Sequence, residues 1–192
     1  MSTSVMFFIT AVVILLALLS NGTTSVESSV DRKKYLVLNL PDKLAAADEL
    51  ARLRAKLQRY IADVHQQYNS PAVRRLKKRF RAVLSETRPK PTGGGGRPLT
   101  SYTIDKGKEI HMCIRDADGG RITRENTLFF VALHELAHIM TVSVGHTEEF
   151  WSNFRQLLKY AIRLGYYQYE PYHSAPARYC GSYIRNTPLQ DV

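Results

Sequence analysis

Two histidines four residues apart, His134 and His138, enclose a glutamate in the run His-Glu-Leu-Ala-His of this 192-residue chain. The run lies within residues 128–142, an apolar stretch without glycine or proline, which predicts a buried helix. An α-helix turns by about 100° and rises by about 1.5 Å per residue, so both imidazoles fall on one face and could bind one metal ion. Glu135 projects beside them and could take a proton from a water on that ion. The spacing therefore predicts the working half of a zinc hydrolase site.

His146 is the predicted third ligand. Gly145, just before it, can adopt the left-handed backbone conformation that reverses the chain. Thr147, followed by two acidic residues, is typical of the first residues of a new helix. A helix, a tight reversal and a second helix would return His146 to the open side of the pair and leave a fourth position for water. Three other side chains stay open as alternatives for this ligand: Glu148, Glu149 and His173.

Several elements must position these residues. Residues 102–105 and 109–115 are predicted as two strands ahead of the metal helix, and His111 is expected to be exposed or hydrogen-bonded there rather than a ligand. Residues 147–164 are predicted as a helix whose apolar face, including Trp151, packs under the site as core.

Positive charge is concentrated in residues 32–90, which hold 16 lysines and arginines against 5 acidic residues, a net charge of +11, whereas the whole chain carries +10. Two helices are predicted there, and Ser70 and Pro71 are typical of the start of the second. The outer face of that helix could be a solvated surface, a contact for anionic lipid, or a nucleic-acid contact. Its residues are Arg74, Arg75, Lys77, Lys78, Arg79 and Arg81.

The N-terminus carries a second hydrophobic signal. Residues 1–26 contain no charged side chain, which predicts a signal-anchor helix and linker over residues 1–30. Basic residues follow at Arg32, Lys33 and Lys34, so by the positive-inside tendency the remaining domain would face the cytoplasm. The alternative is a cleaved signal peptide, with secretion of the rest of the chain.

The C-terminal part offers further candidates. Cys113 and Cys180 could form one disulfide or stay as free thiols, and the sequence leaves both open. A peptidase also needs a donor for the oxyanion of its tetrahedral intermediate. Tyr172 and His173, in a loop bounded by prolines, are the candidates for that donor.

The motif around the three histidines resembles the WLM and SprT-like zinc metallopeptidases. The resemblance is carried by the His-Glu-Leu-Ala-His run, the pair Gly145-His146 and the aromatic pair Phe150-Trp151. Residues 101–180 also resemble metallopeptidase-like proteins of large DNA viruses. Seven residues separate His138 from His146 here, whereas five is the more usual number in WLM proteins.

This resemblance implies an α+β fold, a small zincin-type metallopeptidase domain, with zinc as the cofactor. It implies that His134, His138 and His146 bind zinc and that Glu135 is the general base. It also implies that an edge strand at residues 110–114 receives an extended substrate.

The sequence therefore predicts a zinc-dependent metallopeptidase of the HExxH type that acts on a protein substrate. The domain spans residues 31–192, with a basic helical part at 31–90, a glycine-rich loop at 89–98 and a zinc-site part at 99–192. An N-terminal helix would anchor this domain in a membrane, either a cellular membrane or the virion membrane. Two alternatives stay open: a membrane or virion structural protein that retains a zinc site, and a membrane-tethered nucleic-acid binder. The oligomeric state is not readable from the sequence.

Overall fold

The computed structural model describes residues 22–89 and 100–189. Within these residues, strands and helices follow one another as β1 (Thr23–Glu27), β2 (Lys34–Leu38), α1 (Lys43–Gln67), α2 (Pro71–Arg79), β3 (Leu84–Glu86), β4 (Tyr102–Ile104), β5 (Glu109–Met112), α3 (Glu125–Met140), α4 (Glu148–Arg163), β6 (Ala177–Tyr179) and β7 (Ser182–Ile184). The fold is a small mixed α+β domain. The predicted glycine-rich loop lies mostly outside the described residues.

The β1–β2 hairpin covers one side of α1. The two strands pair antiparallel, with Val26 opposite Tyr35. Asp48 on α1 accepts hydrogen bonds from the Ser28 hydroxyl and from the backbone N–H and hydroxyl of Ser29, each at 2.7 Å. This carboxylate therefore fixes the turn of the hairpin on the helix.

The central sheet has the strand order β3-β5-β4. β3 runs parallel to β5, and β4 pairs antiparallel with the other edge of β5. The prediction that residues 110–114 form the edge strand is wrong, because β5 lies in the middle of the sheet. Among the described residues, β4 is one of the two edges of this sheet.

α3 is the central helix of the core. The apolar run that predicted it is confirmed, although the helix begins three residues earlier than expected, at Glu125. Side chains from α1, such as Leu57 and Tyr60, and from α4, such as Phe154, are fully or almost fully buried in the same core. Burial on nearly all sides explains why this helix is apolar around its circumference.

A buried ionic group connects the hairpin to the sheet. Glu86 on β3 accepts a hydrogen bond from the backbone N–H of Leu38, at 2.8 Å, and one from the Arg115 guanidinium, at 2.7 Å. Arg115 also forms two hydrogen bonds with Asp42, which precedes α1. Each of these three charged side chains has a partner of opposite charge, which offsets the cost of removing a charge from water.

A disulfide joins the end of β5 to the β6–β7 hairpin. It links Cys113 to Cys180, which are 67 residues apart in sequence. Of the two possibilities that the sequence left open, the structure has the paired form. The hairpin is thereby held against the sheet beside α3.

The N-terminal prediction needs correction. Residues 1–21, which hold most of the expected membrane-spanning segment, lie outside the described residues, and Thr23–Glu27, expected to belong to a linker, form β1. In the part of the chain that the structure describes, no helix is long and apolar enough to cross a membrane. The prediction of a single-pass membrane protein with a cytoplasmic domain is contradicted by this finding.

Candidate metal centre

Two of the three predicted ligands lie on one face of α3. His134 and His138 are both partly buried, and their ring centroids are 5.0 Å apart. The ring of Phe150, from α4, packs against both imidazoles, at 4.9 Å from His134 and 4.3 Å from His138. The aromatic side chain limits the rotamers of both histidines, as a rigid ligand pair requires.

His146 reaches the same point from the loop between α3 and α4. Its Nε2 atom lies 3.1 Å from Nε2 of His134. Gly145 has φ of 86°, in the left-handed region expected for the chain reversal. Thr147 caps α4 by accepting a hydrogen bond from the backbone N–H of Phe150, as predicted. Trp151 stacks on the His146 ring at 5.6 Å, a positioning contact beyond its predicted role in the core.

The three histidines fit a single metal ion. One ligand nitrogen from each lies within 4.8 Å of the other two. Two nitrogens bound to one tetrahedral zinc at about 2.0–2.1 Å are about 3.3 Å apart, close to the separation of the His134 and His146 nitrogens. The described part of the chain contains no other group of three potential ligands this close together.

The alternative ligands do not join this group. Glu148 and His173 are exposed outside it. Glu149 accepts hydrogen bonds from the backbone N–H groups of Val142 and Ser143, at 3.0 and 3.2 Å. Glu149 therefore closes the loop that carries His146 instead of binding beside it.

Cations from two other elements hold the C-terminal end of α3. Arg75 donates to the Met140 carbonyl at 2.7 Å, and Arg79 donates to the carbonyls of Ile139 and Thr141. The Lys106 ammonium, from the β4–β5 turn, donates to the carbonyl of Thr141 and to that of Ser143, the latter at 2.6 Å. These carbonyls lack helical partners and carry the negative end of the helix dipole, so cations stabilise them.

This contact corrects the prediction for the basic face of α2. Arg75 and Arg79 are turned towards α3 and are partly buried, whereas Arg74, Lys77, Lys78 and Arg81 are exposed as expected. The sequence could not distinguish the partly buried arginines from the exposed basic residues. The type of a residue does not show which neighbouring element its helix packs against.

The electrostatics of the site favour neutral imidazoles. Burial, together with positive charge on His138 and His146, lowers the pKa of His134 to about 3. Burial, together with His146 and Lys106, lowers the pKa of His138 to about 4. The pKa of His146 is also lowered by burial. Neutral imidazole is the form that binds a metal ion.

Glu135 lies beside the ligands in the wall of the same cleft. Its side chain is 3% exposed, and burial raises its pKa to about 8. Its Oε2 atom has no hydrogen-bond partner among residues 22–89 and 100–189. A buried carboxylate oxygen without a partner is costly and is typical of a functional position.

The cleft has a volume of about 790 Å³. α3 forms its floor, and residues 100–103, which lead into and include most of β4, form one wall. The His146 loop and the β6–β7 hairpin complete the lining. An extended chain could therefore lie between the edge of β4 and the three histidines.

Tyr179 is a residue of the cleft lining that the sequence did not indicate as part of the site. Its hydroxyl lies 2.6 Å from the Ser101 Oγ atom, and both residues line the cleft. Burial raises the pKa of Tyr179 above its ordinary value, and the charge of Glu135 acts in the same direction. Tyr179 and Glu135 both line the cleft.

The predicted oxyanion donors lie elsewhere. Tyr172 is fully buried against Phe130 and does not line the cleft, and His173 is exposed. The Cys113–Cys180 disulfide next to Tyr179 was the one sequence signal that could have placed this tyrosine near β5.

These observations define a small mixed α+β domain with three histidines, two on a buried helix and one on the following loop, at the floor of a cleft. No protein-family model matches the chain. The chain belongs to the same family as protein R325 of Acanthamoeba polyphaga mimivirus. The identity is 36% over an alignment of 184 residues, which covers 91% of this chain and 90% of R325.

Shorter matches join it to two other viral proteins. Protein 042R of Invertebrate iridescent virus 3 is 46% identical over 80 residues, which cover 42% of this chain and 48% of 042R. Protein 136R of Invertebrate iridescent virus 6 is 44% identical over 69 residues, which cover 35% of this chain and 38% of 136R. All three of these relatives are viral proteins, which agrees with the resemblance to viral proteins predicted from the sequence.

Among solved structures, the chain is similar to Wss1 from Saccharomyces cerevisiae. The TM-score is 0.45 at 16% identity, and the match covers 67% of this chain and 89% of the Wss1 chain.

Proposed function

We propose that this chain is a zinc-dependent metallopeptidase. The observation that supports this most strongly is the convergence of His134, His138 and His146 within 4.8 Å at the floor of a cleft that Glu135 also lines. Three neutral protein ligands with an adjacent carboxylate are the arrangement that metal-assisted hydrolysis needs.

A bound zinc ion would supply Lewis acidity, which lowers the pKa of a water and polarises a carbonyl. Glu135, which lines the cleft with the histidines, would accept a proton from water and donate it to the leaving amine. Its buried, unpartnered Oε2 atom favours proton uptake, because a protonated carboxyl costs less to bury than a carboxylate.

Tyr179 is our candidate donor for the developing oxyanion. Tyr179 lines the cleft, and its hydroxyl is held by a hydrogen bond with the Ser101 hydroxyl. A donor fixed before the reaction stabilises the transition state without the cost of reorienting.

The edge of β4 is our candidate for holding the substrate backbone. The strand lines the cleft, and one of its edges is already paired with β5. A peptide added to the outer edge would be held by main-chain hydrogen bonds, and the cleft would select its side chains.

The alternative of a purely structural zinc site is less well supported. Structural sites are closed and have four protein ligands. Here only three ligands converge among the described residues, His146 is exposed, and the cleft above them is large. That arrangement leaves room for a water and a substrate.

The test uses the full chain, incubated with unfolded protein substrates. We expect hydrolysis by the zinc-loaded protein, loss of hydrolysis after chelation, and recovery when zinc is restored. A matched His134→Ala, His138→Ala variant serves as the inactive control. Cleavage that persists equally in this variant would contradict the proposal.

A further inference from the structure

A basic groove lies beside the cleft. Seven of its nine lining residues are lysine or arginine, one is acidic, and its volume is about 900 Å³. It is lined by one face of α2 along its whole length, by Arg81 just after that helix, and by the β4–β5 turn. Asp105 and Lys106 line both the groove and the cleft, so the two cavities adjoin at this turn.

The cations of the basic groove fall into two sets. Arg75, Arg79 and Lys106 direct N–H groups to carbonyls at the end of α3, as described above. Arg74, Lys78, Arg81 and Lys108 are exposed.

In the exposed set, Arg74 donates to the backbone carbonyl of Asn69 and Arg81 to that of Lys78. Two of the seven cations of the groove have a carboxylate partner: Arg75 pairs with Glu149 at 3.3 Å, and Lys108 with Asp105 at 3.9 Å. The described residues supply no carboxylate partner for the other five. The summed field of both sets therefore favours an anionic ligand.

The direction of β4 relates the basic groove to the substrate. β4 runs from Tyr102 to Ile104 and leads directly into Asp105 and Lys106. A peptide that adds antiparallel to β4 would place its N-terminal part beside this turn. We propose that the basic groove binds acidic side chains on the N-terminal side of the scissile bond, so that the substrates are acidic segments of protein.

This inference rests on the proposed peptidase function. The alternative ligand of such a surface is a nucleic acid, but none of the described residues that line the basic groove is aromatic. Aromatic rings supply the stacking by which proteins hold single strands. Continuity with the cleft also favours a ligand that enters both cavities, as an extended peptide does.

Binding is measured first, without turnover. The zinc-loaded Glu135→Gln chain is titrated into a fluorescent peptide with three glutamates N-terminal to the expected cleavage position, and into a peptide in which glutamines replace them. We expect the acidic peptide to bind about three- to tenfold more tightly, with a difference that shrinks as salt is added.

The double variant Lys78→Gln, Lys108→Gln, made in the Glu135→Gln background, should remove most of that preference. Both lysines are exposed and line the basic groove from its two sides. The matched control is Lys77→Gln, Lys159→Gln, which removes the same charge from exposed positions outside the groove. It should retain the preference.

The outcomes separate the two proposals. Selective binding of the acidic peptide without cleavage by the wild-type chain would support the basic groove and contradict the peptidase. Cleavage of both peptides with equal kcat/KM and equal affinity would contradict the proposed binding of acidic side chains by the basic groove. It would still support the proposed peptidase activity. Stronger displacement by a single-stranded oligonucleotide of equal charge than by the acidic peptide would also overturn this inference.

Discussion

At the scale of single residues, the third ligand is the least expected part of the site. His146 is exposed and lies on a loop, yet its ring is held between His134 and Trp151. The seven-residue spacing from His138 is accommodated because Glu149 closes the intervening loop. Glu149, itself an alternative ligand in the sequence, thus has a positioning role.

We expect His146→Ala to weaken zinc binding by about 10²-fold or more, because it removes one of three ligands. Glu148→Ala and His173→Ala should leave the affinity unchanged, since both side chains lie outside the group. Competition with a chelating dye measures all three affinities. Equal affinity in His146→Ala and wild type would show that the third ligand is misassigned.

Tyr179 permits a similar comparison for catalysis. We expect Tyr179→Phe to lower kcat by about 10²-fold with little change in KM, because a donor to the oxyanion acts mainly in the transition state. Tyr172→Phe is the matched control, since its buried hydroxyl lies outside the cleft. Steady-state kinetics distinguish the two, and equal kcat values in these variants would argue against the assignment.

At the scale of elements, local signals predicted where helices begin and long-range contacts decided what they touch. Ser70 caps α2 and Thr147 caps α4 as expected, since a cap depends on a few adjacent residues. The inward turn of Arg75 and Arg79 was not predictable. It depends on the end of α3, some 60 residues away in sequence.

The β-strands show the same difference between local signals, which the sequence contains, and long-range contacts, which form only in the fold. Both strands around the β4–β5 turn were predicted from alternating apolar residues. Which of them lies at the edge was not, because β3 joins β5 from a distant part of the chain as its parallel neighbour. Strand order in a sheet is a property of the assembled fold.

The β1–β2 hairpin gives a prediction about stability. Asp48→Asn should lower the free energy of unfolding by about 1–3 kcal/mol at about pH 7, because it weakens the hydrogen bonds to Ser28 and Ser29. Although burial alone would raise it, the pKa of Asp48 is held below its ordinary value of 3.8 by those hydrogen bonds.

A lowered carboxyl pKa stabilises the fold above the unfolded pKa, and this stabilisation is lost as the pH falls through the folded pKa. The difference between wild type and Asp48→Asn should therefore narrow as the pH falls below about 4 in urea denaturation. A difference that does not change with pH would mean that the charge of Asp48 is not involved.

At the scale of the whole molecule, the cleft depends on elements far apart in sequence. The β6–β7 hairpin supplies Tyr179, and the Cys113–Cys180 disulfide holds it to β5. The sequence left the pairing open because two cysteines alone do not indicate a framework. The folded chain brings them together.

We expect Cys113→Ser, Cys180→Ser to lower the free energy of unfolding by about 2–4 kcal/mol, since the disulfide restricts the unfolded chain. Urea denaturation under non-reducing conditions measures the change. Reducing agent should lower the stability of wild type and leave that of the double variant unaltered. If reducing agent had no effect on wild type, the cysteines would not be paired in solution.

The most direct test of the proposed peptidase is a comparison of wild type with Glu135→Gln, in which zinc content and hydrolysis are measured on the same preparations. We expect about one zinc per chain in both proteins, because glutamine leaves the three histidines in place. Hydrolysis should fall by about 10²- to 10⁴-fold in the variant, the contribution typical of a general base. Full activity in zinc-loaded Glu135→Gln would contradict the mechanism, and a wild-type chain that binds no zinc would contradict the site itself.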